Sequence, residues 1–165
     1  MREEDAGAAS PIGAVRIGVV VATLTAAWLL PGLVGHDPWK PDEAYLFGSV
    51  LHILRTGQWI VPHVAGLPFV EKPPLVHLLG AAFAFLTQSF LPLHDGARVV
   101  AGAAMLATIA LADRAAAWVW GDAARLPCFL LLLGSIGIVL DAHTLNPDVL
   151  VMASLTGGAL GLAAI

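Results

Sequence analysis

The 165-residue chain is 58% hydrophobic and only 12% charged, with a mean hydropathy of +0.83. Soluble domains carry about 25% charged residues, so neither a water-soluble globular enzyme nor a disordered chain fits. Eight basic against twelve acidic residues give a formal charge of −4, which offers no surface to nucleic acid. The single cysteine, Cys128, lies in an apolar run, leaving no intrachain disulfide and no cysteine-rich metal site. The composition predicts an integral, all-α polytopic membrane protein.

Taken in chain order, residues 17–36 hold no Asp, Glu, Lys or Arg, and about 20 apolar residues cross a bilayer core. The stretch before them, MREEDAGAASPIGAVR, is too acidic for a signal-peptide start, and no A-x-A site closes the run. An uncleaved first span at 14–34 is predicted. Residues 35–72 then carry seven of the twenty charges together with Trp39 and Trp59, a composition suited to an interfacial loop. Within it Leu46, Phe47, Val50, Leu51 and Leu54 recur at helical spacing between a Pro41-Asp42 start and an Arg55/Gly57 stop. A surface helix over about 42–56 is predicted, followed by an extended QWIVPHVAGLPFVEKPP segment. Apolar runs follow at 73–94, 97–120 (with Asp113 and Arg114), 126–145 (with Asp141) and 149–165. The last run is still apolar at Ile165, which suggests the N-terminal piece of a longer protein.

If Asp42 and Asp148 serve one site, the chain crosses the membrane an even number of times between them. Three apolar runs intervene, so one does not span. The candidate is 73–91, which opens with Pro73-Pro74, carries His77 and Gln88, and closes before Pro92. The reading is then an external loop over 35–96 with juxtamembrane helices, and spans at 14–34, 97–120, 126–145 and 149–165. Arg114 and Arg125 join Arg2 and Arg16 on the N-terminal side, which favours a cytoplasmic N-terminus.

Three short motifs carry candidate chemistry. Pro41-Asp42-Glu43 sets two carboxylates at a helix start, whose dipole favours their ionised form, and a carboxylate at a membrane interface can serve as general base. The structural alternative is a capping Asp42 beside a solvated Glu43. In Glu71-Lys72-Pro73-Pro74 an ammonium suited to phosphate is followed by two prolines that fix its backbone; the alternative is a snorkelling lysine paired with Glu71. In Asp141-Ala-His-Thr-Leu-Asn-Pro-Asp148 a carboxylate beside a span end points to function, against an Asn146-Pro147-Asp148 helix cap. The six histidines show no metal spacing, so no cofactor is expected. A divalent metal shared by Asp42, Asp148 and a histidine is the weaker alternative.

The run PDEAYLFGSVLHILRTGQWIVPHVAGLPFVEKPPL, with an Asp after the next spans, resembles the amino-terminal part of the bacterial aminoarabinose transferases that modify lipid A. More broadly it resembles the GT-C glycosyltransferases related to protein O-mannosyltransferases. The order carries the resemblance: a D-E pair, then G-x-W-x-V-P from Gly57 to Pro62, then E-K-P-P. It implies an inner-membrane enzyme of the cell envelope that transfers a sugar from a polyprenyl-phosphate donor to a lipid or protein acceptor on the periplasmic face. By the same resemblance Asp42 matches the catalytic aspartate with Glu43 beside it, and Lys72 the lysine that contacts the donor phosphate, with Glu71 its neighbour. Asp148 matches the acidic residue of the second external loop, and His143 would help shape the acceptor side. Where the aminoarabinose transferases carry an arginine two residues after the D-E pair, this chain has Tyr45, which leaves the sugar open. The rival readings are a protein that binds or transports lipid phosphate without breaking a bond, and an inactive truncated or interaction subunit.

Overall fold

The computed structural model describes residues 11–163, with side chains from residue 18 onward. The reading of the MREEDAGAAS start, the side chains of Arg2 and Arg16, and the last two residues of the 149–165 run lie outside the described residues. Two units form, one ending at Pro31 and one beginning at Gly32.

The first unit is α1 (Pro11–Leu29). From Gly18 to Leu29 it carries no charge, and Thr25 satisfies its hydroxyl by donating to the Val21 carbonyl at 2.8 Å. Pro31 stands two residues after the end, where a proline cannot continue a helix.

In the second unit, α2 (Lys40–Thr56) follows its start and stop signals closely. Pro41 occupies the first turn, Asp42 and Glu43 face the positive dipole end, and Arg55 lies in the last turn. Gly57, at φ 71°, closes the helix by donating its N–H to the Ile53 carbonyl at 2.9 Å. The segment that follows is extended, as predicted, and folds into a small hairpin. Strands β1 (His63–Val64) and β2 (Leu67–Pro68) pair antiparallel around Ala65 (φ 52°) and Gly66 (φ 83°), two left-handed residues of the kind a two-residue hairpin requires.

Helix α3 (Leu75–Thr87) is 13 residues long, about 20 Å at helical rise and short of the roughly 30 Å hydrocarbon core. After it, α4 (Leu93–Trp120) runs 28 residues, about 42 Å. A 3₁₀ turn (Asp122–Ala124) leads into α5 (Arg125–Gly134) and α6 (Ile136–Ala142). The 126–145 run, expected as one continuous span, is bent by 71° between these two helices. Gly134 weakens the helix there, and the Ser135 hydroxyl bonds back to the Leu131 carbonyl at 2.7 Å. The last helix is α7 (Asp148–Ala163). Among the described residues the fold is mostly helical. One helix, α4, is long and apolar enough to cross a membrane, and a second is reached if α5 and α6 count as one bent span.

The core of this unit sits where α2, α3 and the start of α4 meet. Leu46, Val50 and Ile53 from α2 are buried against Val76, Ala81 and Ala84 of α3, Ala97 and Val100 of α4, and Leu145. Burying each large aliphatic side chain stabilises by about 1.5–3 kcal/mol where water would otherwise cover it. Small residues set the spacing: a Cβ on Gly80 would stand 3.1 Å from Val50 Cγ2, and one on Gly96 would be 3.0 Å from the Ala84 Cα.

These contacts also fix direction. Tyr45 stacks on Phe69, which packs edge-on to His77, and Val50 lies level with Gly80, so α2 and α3 run the same way and both open at one end. Val149 packs with Ala101 and Ala104, and Gly157 faces Leu111, so α7 runs parallel to α4. Between them α5 turns back from the far end of α4, with Cys128 Sγ 3.8 Å from the Ala112 carbonyl.

Candidate functional site

Asp42 and Glu43 are neighbours in sequence with opposite environments. Asp42 is exposed at the start of α2, while Glu43 is only 3% exposed. The expected alternative of a solvated Glu43 therefore does not hold. Glu43 Oε1 accepts from Arg98 Nε at 2.6 Å and from the Leu145 N–H at 2.9 Å. Its Oε2 accepts from the Trp39 N–H at 2.7 Å, which satisfies one of the donors a helix start leaves open.

Arg98, in the second turn of α4, is fully buried. Its Nη1 donates to Asp95 Oδ1 at 2.7 Å and to the His36 carbonyl at 2.7 Å. Asp95 Oδ2 in turn accepts from the Gly35 N–H at 3.0 Å, and His94 Nε2 lies 3.5 Å from Oδ1. One guanidinium thus serves two carboxylates. The excess negative charge is met by three backbone N–H groups and by the N-terminal ends of α2 and α4, which carry positive partial charge. Both carboxylates have their acceptor oxygens bonded, whereas the buried Arg98 Nη2 has no partner among the described residues.

The cluster joins parts of the chain far apart in sequence. Gly35 to Trp39, the start of α2, the start of α4 and Leu145 all converge on it. Sequence reasoning passed over Asp95 and Arg98 because they sit at the edge of an apolar run taken as a span. The signal available was their i,i+3 spacing at a helix start, where an acid and a base can pair.

Asp148 follows Leu145 by three residues and is exposed in the first turn of α7. Asn146 is the capping residue: its Oδ1 accepts from the Asp148 N–H at 2.9 Å and the Val149 N–H at 3.3 Å. Pro147 stands just before the helix, and its carbonyl accepts from the Leu150 and Val151 N–H groups at 3.1 Å each. Since Asn146 does the capping, the Asp148 carboxylate is left for solvent. His143 is half-buried; its Nδ1 lies 2.6 Å from the Val139 carbonyl, and its ring packs under Gly32.

Lys72 is half-buried and Glu71 exposed. Among the described residues neither joins an ion pair, so the expected Glu71–Lys72 pairing is not formed. Lys72 is held from both sides by its backbone. Upstream, Phe69 donates its N–H to the Pro62 carbonyl at 2.7 Å and packs against Tyr45 and edge-on to His77. Downstream, Pro73 and Pro74 lead into α3, where Leu78 donates to the Pro74 carbonyl at 3.0 Å. Because α2 and α3 open at the same end, the Asp42 and Lys72 segments lie at that end together. Among the described residues no group of three His, Cys, Asp or Glu side chains could hold a metal ion.

At the other end of α4, Arg125 pairs with Asp113 at 2.7 Å and Asp122 at 2.8 Å. These exposed pairs sit apart from the Glu43 cluster.

No protein-family model and no solved structure match the chain. Curated relatives do. The undecaprenyl phosphate-alpha-4-amino-4-deoxy-L-arabinose arabinosyl transferase of Pseudomonas savastanoi pv. phaseolicola is 30% identical over 122 residues, 73% of this chain and 22% of the relative. Transferase 2 of that name from Sodalis glossinidius is 30% identical over 124 residues, again 73% of this chain and 22% of the relative. The Serratia proteamaculans protein is 41% identical over 46 residues, 28% of this chain and 8% of the relative. The chain therefore spans about a fifth of the length of the first of these relatives. Over most of its own length, the chain is homologous to the aminoarabinose arabinosyl transferases.

Proposed function

We propose that the chain forms the first-loop part of a GT-C glycosyltransferase in the bacterial inner membrane. It transfers a sugar from a polyprenyl-phosphate donor to a lipid or protein acceptor at the periplasmic face. What supports this reading is the homology to transferases named for such a donor, together with a hydrogen bond that joins the α2 start to the segment before α7. Glu43 accepts from Leu145 at 2.9 Å, so the two loops carrying Asp42 and Asp148 meet at one end of the unit.

In this mechanism the acceptor oxygen attacks the anomeric carbon in line, and the bond from that carbon to the donor phosphate oxygen breaks. Asp42 takes the proton of an acceptor hydroxyl, or positions an acceptor phosphate that is already ionised. Lys72 stabilises the polyprenyl phosphate as it leaves with its electron pair, and Glu71 tunes that lysine's surroundings. Asp148 and His143 shape the acceptor side. Glu43 is given a supporting role, because all of its acceptor contacts are made within the protein.

General-base help contributes about 10²- to 10⁴-fold in rate, so Asp42→Asn in the full-length protein lowers turnover by at least that lower bound. Lys72→Ala weakens both donor binding and turnover. Donor binding and transport without any sugar transfer would favour the lipid-phosphate carrier reading instead.

A further inference from the structure

We propose that Glu43, Asp95 and Arg98 form a positioning unit that sets the Asp42 loop against the Asp148 loop. The inference rests on the glycosyltransferase reading, defines what Glu43 supports there, and adds Asp95 and Arg98, which that reading does not use. Each contact in the unit is specific. Glu43 bonds the Trp39 N–H, Arg98 and the Leu145 N–H, while Asp95 bonds Arg98 and the Gly35 N–H. Arg98 is 0% exposed and Asp95 is 3% exposed, so solvent does not compete for these bonds.

The placement of the contacts gives the unit its effect. Asp42 directly precedes Glu43, and Asp148 follows Leu145 by three residues. One carboxylate oxygen, Oε1 of Glu43, holds both Arg98 and Leu145, so a shift of α4 relative to α2 moves the loop that bears Asp148. A reacting geometry is sensitive to displacements of about 1 Å, which can change rate 10²-fold. Misplacing Asp42 relative to Asp148 acts on the chemical step, whereas the donor phosphate at Lys72 is held by a separate part of the backbone. The positioning unit therefore governs kcat more than donor KM.

The test uses the full-length protein in membranes, with undecaprenyl phosphate-4-amino-4-deoxy-L-arabinose as the donor probe. Glu43→Gln keeps side-chain shape and removes the charge facing Arg98. Asp95→Asn keeps the Glu43–Arg98 pair and removes the second carboxylate. The expected result is a fall in kcat of tenfold or more for Glu43→Gln and threefold or more for Asp95→Asn. Donor KM stays within about threefold, and folded protein accumulates in the membrane. Glu43→Asp, which shortens the reach but keeps the charge, restores less than half of the lost kcat.

Unchanged kcat in both folded Gln and Asn variants overturns the inference while leaving the function in place. A rise in donor KM with kcat unchanged overturns it too. If neither variant accumulates as folded protein, the unit serves folding alone and the positioning role is wrong. Absence of transfer by the unsubstituted protein is a failure of the functional reading, which the same assay identifies separately.

Discussion

The charged residues of this chain divide by burial. Asp42, Glu71 and Asp148 stand exposed, whereas Glu43, Asp95 and Arg98 are buried, the two carboxylates fully bonded and Arg98 bonded through Nε and Nη1 but not Nη2. Adjacent carboxylates look alike in sequence, and spacing alone cannot tell which faces inward. The first turn of α2 decides it: Glu43 reaches back to the Trp39 N–H and across to Arg98, leaving Asp42 outside. Arg98 stands at the edge of an apolar run, where the nearby Asp95 hints at a pair but nothing points to its other partner Glu43, 55 positions away. His77 makes a residue-level prediction possible. It is fully buried in α3 with its ring edge-on to Phe69. Burial holds its pKa below the ordinary imidazole value of 6.5, with the Leu46 backbone opposing that shift. The unfolded chain therefore takes up a proton before the folded one does as pH falls. The stability that depends on His77 is complete above about pH 6.5 and declines on acidification through that value. Thermal unfolding measured from pH 8 to pH 5 shows this decline, and His77→Leu reduces it. An equal decline in that variant would remove His77 as the cause.

At the scale of elements, α2 was legible almost residue for residue, because Pro41, Asp42, Arg55 and Gly57 mark its ends independently of packing. The extended segment after it was legible from its prolines. The hairpin was not, because Ala65 takes a left-handed conformation that its side chain gives no reason to expect. The break at Ser135 was equally hidden inside a hydrophobic run, where composition favours one uninterrupted helix. Packing between α3 and α4 depends on a missing side chain. A Cβ at Gly96 would overlap Thr87 Oγ1 and stand 3.0 Å from the Ala84 backbone. Gly96→Ala must push the helices apart, and overpacking of this kind costs about 1–3 kcal/mol. The expected outcome is a lower unfolding midpoint in detergent. By contrast Gly158→Ala, which meets no atom within 4 Å, leaves the midpoint within a degree or two. Equal midpoints for both variants would show that α3 and α4 do not approach as closely as described.

The whole second unit is arranged with its functional candidates at one end. The starts of α2 and α4 and the segment leading into α7 meet at the Glu43 cluster, α3 ends against Gly96 of α4, and the Asp113–Arg125–Asp122 pairs mark the far end of α4. The parity argument from sequence asked for an even number of crossings between Asp42 and Asp148. Those crossings remain a proposal, since α4 is the one unbroken helix long enough to span and α5–α6 is bent by 71°. Single cysteines at Ala44, Asp148 and Asp122, in a Cys128→Ala background, convert this arrangement into a sidedness experiment with a membrane-impermeant thiol reagent. Ala44 and Asp148 are expected to label from the periplasmic side and Asp122 only after the membrane is opened. Labelling of Asp148 from the opposite side to Ala44 would contradict a shared site.

The most direct measurement is sugar transfer itself, by membranes containing the full-length protein given undecaprenyl phosphate-4-amino-4-deoxy-L-arabinose and a lipid acceptor. The account predicts transfer that Asp42→Asn lowers about 10²-fold or more while the variant still binds donor. Transfer by the Asp42→Asn variant within a few-fold of the unsubstituted protein would contradict it.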